Sequence, residues 1–212
     1  MYIVRRIREG NIISSSFLLS IIFLLNFTEY YFIVELIMSK LFQPLNFKKW
    51  IDENRHLLKP PVGNKEVYEE GEFIIMVVGG PNSRKDYHYN ETPEFFYQLE
   101  GDMVLKIKDG DEFKDIPINE GDIYLLPAKV PHSPQRFANT VGLVVEQKRE
   151  EHHIDALEWY CENCGEQLYR DTFKMKDIVA ELPPLMNRFM SSEDLRTCKK
   201  CNTIMQPPVP VK

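Results

Sequence analysis

Basic side chains are in the minority in this 212-residue chain, which has 26 Lys and Arg against 32 Asp and Glu. The formal net charge of -6 argues against a general nucleic-acid binder, because a surface that binds phosphates normally shows as an excess of basic residues. Small molecules are therefore the expected partners. The length and the 43% hydrophobic content suffice for one main domain with a substantial core and a small appendage.

Cysteine is also scarce, and its four copies all fall in two C-x-x-C pairs, Cys161/Cys164 and Cys198/Cys201. In a chain of this size such pairs indicate a metal site more readily than a disulfide framework. Four thiolates suit iron or zinc about equally well, so the ion stays open. We expect the site to fold a tail with little core of its own, and the paired thiols favour a cytoplasmic location.

The first 37 residues lack the small-residue cleavage site that ends a signal peptide. Three arginines between positions 5 and 8 precede an uncharged run over residues 10–28, but serines and asparagines dilute it below a span of about 20 apolar residues. Met38 opens a stretch typical of a soluble amino terminus. We interpret residues 1–37 as a mis-assigned start, with a real anchor or a tail as alternatives, and expect no stable membrane association.

Hydrophobic periodicity predicts one helix followed by short strands. Residues 46–58 place apolar side chains near helical spacing, and prolines follow. Short runs rich in aromatic and β-branched residues then predict strands, separated by turn residues such as Asp109-Gly110. The predicted strands are 73–78, 95–99, 103–107, 113–118, 123–126 and 141–146. Such a series suggests a β-sandwich or barrel. An amphipathic stretch at 176–190 is expected to be broken by Pro183-Pro184.

Two histidines and one glutamate accompany these strands, namely His88, Glu94 and His132. Two imidazoles and a carboxylate on one face of a metal suit iron(II) and leave positions open for a substrate and dioxygen. The other histidines, at positions 56, 152 and 153, are interpreted as exposed or packing side chains. The sequence therefore predicts an oxygenase-type metal site.

The spacing of these residues resembles that of cupins. An E-x6-G pattern begins at Glu94, with His88 before it, and a G-x5-P pattern begins at Gly121 and is followed by His132. The resemblance implies a mainly β jelly-roll barrel that holds a metal inside. Asn90 stands where the second histidine of H-x-H is usual, which leaves three ligands. Glu91 competes with Glu94 as a ligand, but only Glu94 keeps the motif spacing.

The departures from the common cupin pattern match one family. The chain resembles the 3-hydroxyanthranilate 3,4-dioxygenase family of the bacterial and fungal type over about residues 41–208. The residues that carry this resemblance are Arg84, His88, Glu94, His132, Arg136 and Glu146, together with the opening helix and the terminal cysteine pairs. The resemblance divides the chain into an extension (1–37), a cupin domain (38–155) and a carboxy-terminal segment with the four cysteines (156–212).

The resemblance implies an iron(II)-dependent enzyme that cleaves the ring of 3-hydroxyanthranilate with dioxygen. The product, 2-amino-3-carboxymuconate semialdehyde, leads to quinolinate and NAD in the kynurenine pathway of tryptophan degradation. Fe2+ would be held by His88, Glu94 and His132, with Arg84 toward dioxygen. The implied substrate contacts are Glu94, Arg136, Glu146 and Asn64. The family also implies a homodimer and a rubredoxin-like iron, or zinc, on the four cysteines.

Two alternatives remain open from the sequence. One is a non-catalytic cupin that binds a metal or a small ligand for storage or sensing. The other keeps an enzyme but changes the reaction, to a cupin isomerase or a dioxygenase for a different phenol.

Overall fold

The computed structural model describes residues 42–59, 63–175 and 178–208. The chain divides into two compact units, 1–46 and 47–212, and the second contains every helix and strand described below. The predicted extension, 1–37, lies outside the described residues. Within the described ranges, no helix is long and apolar enough to cross a membrane.

The helix predicted near the start of the second unit is confirmed. Helix α1 spans Phe47–Asn54 and continues as a 3-10 turn over Arg55–Leu57. Ile51 of α1 packs with Leu58 in a small apolar cluster against the barrel. Two further helices follow the last strand, α2 over Ile178–Ser191 and α3 over Glu193–Arg196.

All six predicted strands are present, as β2 (Phe73–Gly79), β4 (Glu94–Glu100), β5 (Met103–Asp109), β6 (Glu112–Ile118), β7 (Ile123–Leu126) and β9 (Val141–Gln147). Five more were not predicted, namely β1 (Asn64–Glu66), β3 (Tyr87–Tyr89), β8 (His132–Arg136), β10 (Asp155–Tyr160) and β11 (Gln167–Phe173). Strands β1, β3 and β8 are short and polar, so they lack the apolar alternation that predicts a strand.

The strands form two antiparallel sheets, in the orders β1-β2-β9-β4-β7 and β11-β10-β3-β8-β5-β6. The inner eight strands give β2-β9-β4-β7 in one sheet and β3-β8-β5-β6 in the other, which is the double-sheet jelly roll of two Greek keys. The predicted mainly β fold is thereby confirmed. Strands β10 and β11 extend the second sheet beyond β3.

Two larger apolar clusters stabilise the described part of this unit, in addition to the small one around Ile51. Phe96, Met103 and Leu105 belong to the barrel core and are at most 1% exposed. The second cluster joins β10 to α2, where the rings of Trp159 and Phe189 stack with centroids 4.4 Å apart. Burying apolar surface contributes about 25 cal/mol per Å² to the free energy of folding, so two large buried rings contribute several kcal/mol. The clusters therefore fix both the barrel and the helix beside it.

The predicted break at Pro183-Pro184 is wrong, because α2 runs through both prolines. Proline removes a backbone donor but keeps a φ angle that a helix accepts. Leu182, just before the prolines, is buried in the apolar cluster around Trp159. We attribute the continuity of α2 to this packing, which the local sequence does not reveal.

Candidate metal centre

The three predicted ligands meet inside the barrel because each lies on a different strand. His88 is the middle residue of β3, and it pairs directly across the sheet with His132, the first residue of β8. Glu94 opens β4 in the facing sheet. Its carboxylate oxygens lie 3.8 Å from His88 Nδ1 and 3.2 Å from His132 Nε2. All three residues are buried, and their ligand atoms lie within 4.8 Å of one another.

The far nitrogen of each imidazole is held by an acceptor. His88 Nε2 lies 2.8 Å from Asp155 Oδ2, and His132 Nδ1 lies 3.0 Å from the carbonyl oxygen of Val130. An acceptor at one ring nitrogen places the proton there and leaves the other nitrogen with its lone pair. His88 Nδ1 and His132 Nε2 are therefore the atoms available to a metal, and both face Glu94.

Charge within the cluster is arranged around the Glu94 carboxylate. Burial alone would raise the pKa of Glu94, but His132, His88 and the Asn90 amide outweigh it and hold that pKa well below its usual range. Burial lowers the pKa of His88. For His132, burial also acts downward, yet the carboxylate of Glu94 outweighs it and raises the pKa. The ionised carboxylate and two oriented imidazoles fit a divalent transition metal such as iron(II).

Asn90 occupies the position where cupins commonly carry a fourth ligand. Its side-chain nitrogen donates to Glu94 Oε1 at 2.9 Å and to Glu146 Oε2 at 3.2 Å. Its oxygen accepts two hydrogen bonds, from the Thr92 backbone N–H and hydroxyl, each at 2.8 Å. The residue therefore links two carboxylates instead of binding a metal.

A buried arginine, Arg149, was not found from the sequence. It reaches Glu146 Oε2 at 2.7 Å and Asp155 Oδ2 at 2.8 Å. Burial and the nearby Glu94 carboxylate raise the pKa of Glu146 to about 7, in spite of the opposing guanidinium of Arg149. Neither Arg149 nor Asp155 belongs to a motif. The available signal was only a run of charged residues, 148–151, in the turn between β9 and β10.

A cavity of about 470 Å³ opens onto the three ligands. The structure brings all predicted barrel-site residues to its wall: Asn64, Arg84, His88, Glu94, His132, Arg136 and Glu146. The remaining wall is largely apolar, with Met76 and Phe96 from the barrel and Leu182 and Met186 from α2. This size and this mixture of apolar wall with a few polar groups are typical of a small-molecule site.

The other sequence candidates lie elsewhere. Glu91 accepts a hydrogen bond from the Ile154 backbone N–H at 3.3 Å, and it is absent from the cavity wall. His56 is also outside that wall, and so are His152, which is exposed, and His153, which contacts the Glu150 backbone.

Arg136 is a buried cation on the cavity wall, and it has no ion-pair partner within the described part of the chain. Its side chain donates to Gln98 Oε1 at 3.0 Å, while its Nε has no hydrogen-bond partner there. Burial lowers its pKa to about 10. A Cβ on Gly142 would lie 2.5 Å from Arg136 Nη1, so this glycine leaves the space that the guanidinium occupies. A desolvated, uncompensated guanidinium of this kind favours binding of an anion.

Arg84 differs because it is paired. Its Nε donates to Asp86 Oδ2 at 3.1 Å, and a second, shorter contact joins its Nη2 to the same oxygen. Burial would lower the pKa of Arg84, but Asp86 outweighs it and raises the pKa. Its guanidinium is therefore held in one place at the cavity wall.

The four cysteines form a second cluster outside the cavity. Sγ atoms are 3.5 Å apart for Cys161 and Cys201, and 3.6 Å apart for Cys164 and Cys198. A tetrahedral ion with bonds of about 2.3 Å requires sulfur atoms about 3.8 Å apart, so the spacing fits zinc or iron. The two C-x-x-C turns match each other, because the residue after each second cysteine, Gly165 or Asn202, has a positive φ and donates its backbone N–H to the first cysteine. The predicted cluster of four cysteines is present.

The jelly-roll topology and the buried histidine–glutamate cluster define the class as a cupin-type metalloprotein. Among solved structures, the chain is similar to a cupin-2 domain protein from Shewanella frigidimarina, with a TM-score of 0.40, 18% identity, and 49% of this chain and 93% of that chain covered. The sequence profile of the 3-hydroxyanthranilic acid dioxygenase family matches residues 38–190. The chain belongs to that family.

Curated relatives agree with this assignment. The chain is 54% identical over 168 residues to the 3-hydroxyanthranilate 3,4-dioxygenase of Xanthomonas euvesicatoria, covering 79% of this chain and 95% of the relative. It is 58% identical over 160 residues to the enzyme of the same name from Jannaschia sp., covering 75% and 89%. The relationship expected from the sequence is therefore confirmed.

Proposed function

We propose that this protein is an iron(II)-dependent dioxygenase that cleaves 3-hydroxyanthranilate with dioxygen to 2-amino-3-carboxymuconate semialdehyde. The family and the names of the relatives support the reaction class. The choice of substrate is supported by one observation. The buried guanidinium of Arg136 has no ion-pair partner among the described residues, and it lies on the cavity wall that also holds His88, Glu94 and His132. The product would supply quinolinate and, through it, NAD synthesis from tryptophan.

Iron(II) held by His88, Glu94 and His132 would supply open coordination positions for the amino and hydroxyl groups of the substrate and for dioxygen, and with them the redox chemistry. The residues around it then have to orient the ring, exclude water and manage protons. Each of these tasks can be assigned to side chains on the cavity wall.

Arg136 binds the ring carboxylate. Its planar fork matches a carboxylate with two parallel hydrogen bonds. Gln98 is hydrogen-bonded to Nη1 and leaves the rest of the fork for the substrate. Because the guanidinium is buried, it has already lost its hydration in the folded protein. Pairing with the substrate carboxylate therefore adds little desolvation cost for the cation, and the low dielectric of the site makes the ion pair strong.

Glu146 is the proton-handling group that we assign to the substrate's polar edge. Its carboxylate lies on the cavity wall, and its pKa of about 7 is close to the value at which a carboxylate both accepts and returns a proton near neutral pH. Glu94 lies on the same wall, and Asn64 extends it from β1. Arg84, fixed by Asp86, would stabilise negative charge that develops on dioxygen.

We also propose a homodimer in the cytoplasm, with iron or zinc on the four cysteines. The thiol pairs favour a reducing compartment. Sedimentation of the full chain at high protein concentration tests the dimer, and a monomer-sized species alone would contradict it.

The decisive experiment loads the full chain with iron(II) under anaerobic conditions and mixes it with 3-hydroxyanthranilate and dioxygen. Oxygen uptake and the absorbance of the muconate semialdehyde are followed together. Matched oxygen consumption and product formation would support the proposal. A folded, iron-loaded protein that does neither would favour a non-catalytic cupin or a different phenol as the substrate.

Replacing Arg136 with Met is expected to lower kcat/KM for 3-hydroxyanthranilate by about 30-fold or more. Truncation of one partner of a buried charge pair costs roughly 2–5 kcal/mol. The matched control is 2-aminophenol, which lacks the carboxylate, and its kcat/KM should be changed much less by the same substitution. Equal losses for both compounds would place carboxylate recognition elsewhere.

Gly142→Ala tests the position of Arg136 while keeping its charge. The new Cβ would stand 2.5 Å from Arg136 Nη1 and 2.7 Å from Gln98 Oε1, so the guanidinium has to move. A displacement of about 1 Å costs up to roughly 100-fold in kcat/KM. We expect iron content to stay at the wild-type level, with the loss seen mainly as a higher KM. An unchanged KM would contradict the assigned place of the guanidinium.

A further inference from the structure

Arg149 closes a ring of buried polar contacts around the metal centre. Starting at a ligand, His88 Nε2 meets Asp155 Oδ2 at 2.8 Å, and Arg149 Nη2 meets the same oxygen at 2.8 Å. From Arg149 the ring continues to Glu146 and returns through Asn90 to Glu94. The returning distances are 2.7 Å for Arg149–Glu146, 3.2 Å for Asn90–Glu146 and 2.9 Å for Asn90–Glu94.

The charged side chains of this ring are almost completely shielded from solvent. The side chains of Arg149, Glu146 and Asp155 are 3%, 2% and 0% exposed. Two carboxylates buried this far would each carry a large desolvation cost without an opposing charge. Within the described ranges, Arg149 is the cation that contacts both of them. Its removal would leave both carboxyl groups buried without a cationic partner.

The fork of the guanidinium is used in full. Nε donates to Asp155 Oδ1 at 2.9 Å, Nη1 donates to the Gln147 carbonyl at 2.8 Å, and Nη2 is shared by the two carboxylates. The remaining neighbour is the Thr92 hydroxyl, 3.5 Å from Nη1. A lysine ammonium is a point charge with no planar fork, so it could not hold both carboxylates in this geometry.

We propose that Arg149 is a positioning residue. Its single guanidinium fixes the orientation of both the metal ligand His88 and the substrate-facing Glu146. Asp155 transmits its effect to the imidazole, and the direct ion pair transmits it to Glu146. The part concerning Glu146 rests on the function proposed above, whereas the part concerning His88 rests only on the metal centre. Arg149 touches neither the ligand atoms nor the cavity wall, so its effect is indirect.

The test compares Arg149→Met and Arg149→Lys with wild type, with Arg55→Met as the matched control. Arg55 also pairs by a fork with a carboxylate, Glu100, at 2.8 Å for each nitrogen, but away from the cavity. Iron(II) affinity is measured by competition with a chromophoric chelator, without substrate. We expect a 10- to 100-fold weaker affinity for Arg149→Met, a smaller loss for Arg149→Lys and no change for Arg55→Met.

Kinetics normalised to bound iron separate positioning from simple stabilisation. We expect KM for 3-hydroxyanthranilate to rise about 10-fold in the iron-loaded Arg149→Met protein, because Glu146 is no longer held. If only the melting temperature falls, with wild-type iron affinity and wild-type kinetics per bound iron, Arg149 is structural and the proposal is overturned. Wild type in the same assay reports on the proposed function itself, and the chelator competition remains informative even if wild type shows no turnover.

A double variant keeps the test valid if Arg149→Met folds poorly. Glu146→Gln removes one of the buried charges that Arg149 neutralises, so Arg149→Met/Glu146→Gln restores part of the lost balance. The double variant is compared with Glu146→Gln alone, so that the two proteins differ only at Arg149, and we expect its iron(II) affinity to be about 10-fold weaker or more. Equal iron(II) affinity of these two proteins would contradict the proposal.

Discussion

Glu94→Ala is expected to remove stoichiometric iron binding and to abolish detectable turnover. The substitution deletes the sole carboxylate of the three-residue cluster and leaves both imidazoles and the Asn90 amide without the group they face. Residues that only orient a ligand change metal affinity by roughly 10- to 100-fold, so a lost ligand should exceed that range. Iron content after gel filtration and oxygen uptake are the two measurements.

Glu91→Ala is the matched control for this prediction. Glu91 lies three residues before Glu94 and contacts the Ile154 backbone and, at 3.9 Å, the Lys129 ammonium, away from the imidazoles. We expect its replacement to leave iron content and turnover near the wild-type level. A Glu94→Ala protein that keeps full iron, or a Glu91→Ala protein that loses it, would overturn the assignment of the carboxylate ligand.

Cys201→Ser is expected to release the ion from the four-cysteine cluster and to loosen the carboxy-terminal packing. Cys201 is only half-buried, so the exchange of sulfur for oxygen removes little packing by itself. Structural four-ligand zinc supplies roughly 10–16 kcal/mol of apparent folding energy in small domains. Loss of one thiolate should therefore lower the stability of this segment by far more than a typical surface substitution of about 0.5 kcal/mol.

The measurement combines metal analysis with near-ultraviolet circular dichroism in a Trp50→Phe background, in which Trp159 is the remaining tryptophan. This side chain is fully buried and stacks on Phe189, so its signal reports the packing of β10 against α2. Treating wild type with a strong chelator should reproduce the change, and the released ion identifies iron or zinc. An unchanged dichroism spectrum after complete loss of the ion would show that the apolar cluster folds this segment without metal.

Apolar alternation and turn residues sufficed for the central strands of the barrel. Strand β5, for instance, alternates buried and half-buried residues over most of its length and ends at the Asp109-Gly110 turn. Strands β3 and β8 carry two ligands but are short and polar, and β3 pairs with β8 only through His88 and His132. Their structure depends on partners distant in sequence, which no local pattern records.

The metal ligands were predictable for a different reason, since motif spacing places them without knowledge of the strands. The same spacing says nothing of the residues that hold them. Asp155 lies 67 positions from His88, and the two side chains meet only because β10 pairs with β3. The course of α2 through Pro183 was missed because the packing of Leu182 overrides a local preference.

Asn90 limits how the proton count of the centre can change. A histidine at this place would titrate near neutral pH, whereas an amide neither gains nor loses a proton. The neutral Asn90 amide lies between Glu94 and Glu146 and donates to both, and two hydrogen bonds donated by Thr92 fix its orientation. Acid entering the cavity therefore protonates Glu146, whose pKa is about 7, before Glu94, whose pKa is held well below its usual range, and the amide between them does not titrate. The Asn90 amide keeps its neutral charge when the protonation of either carboxylate changes.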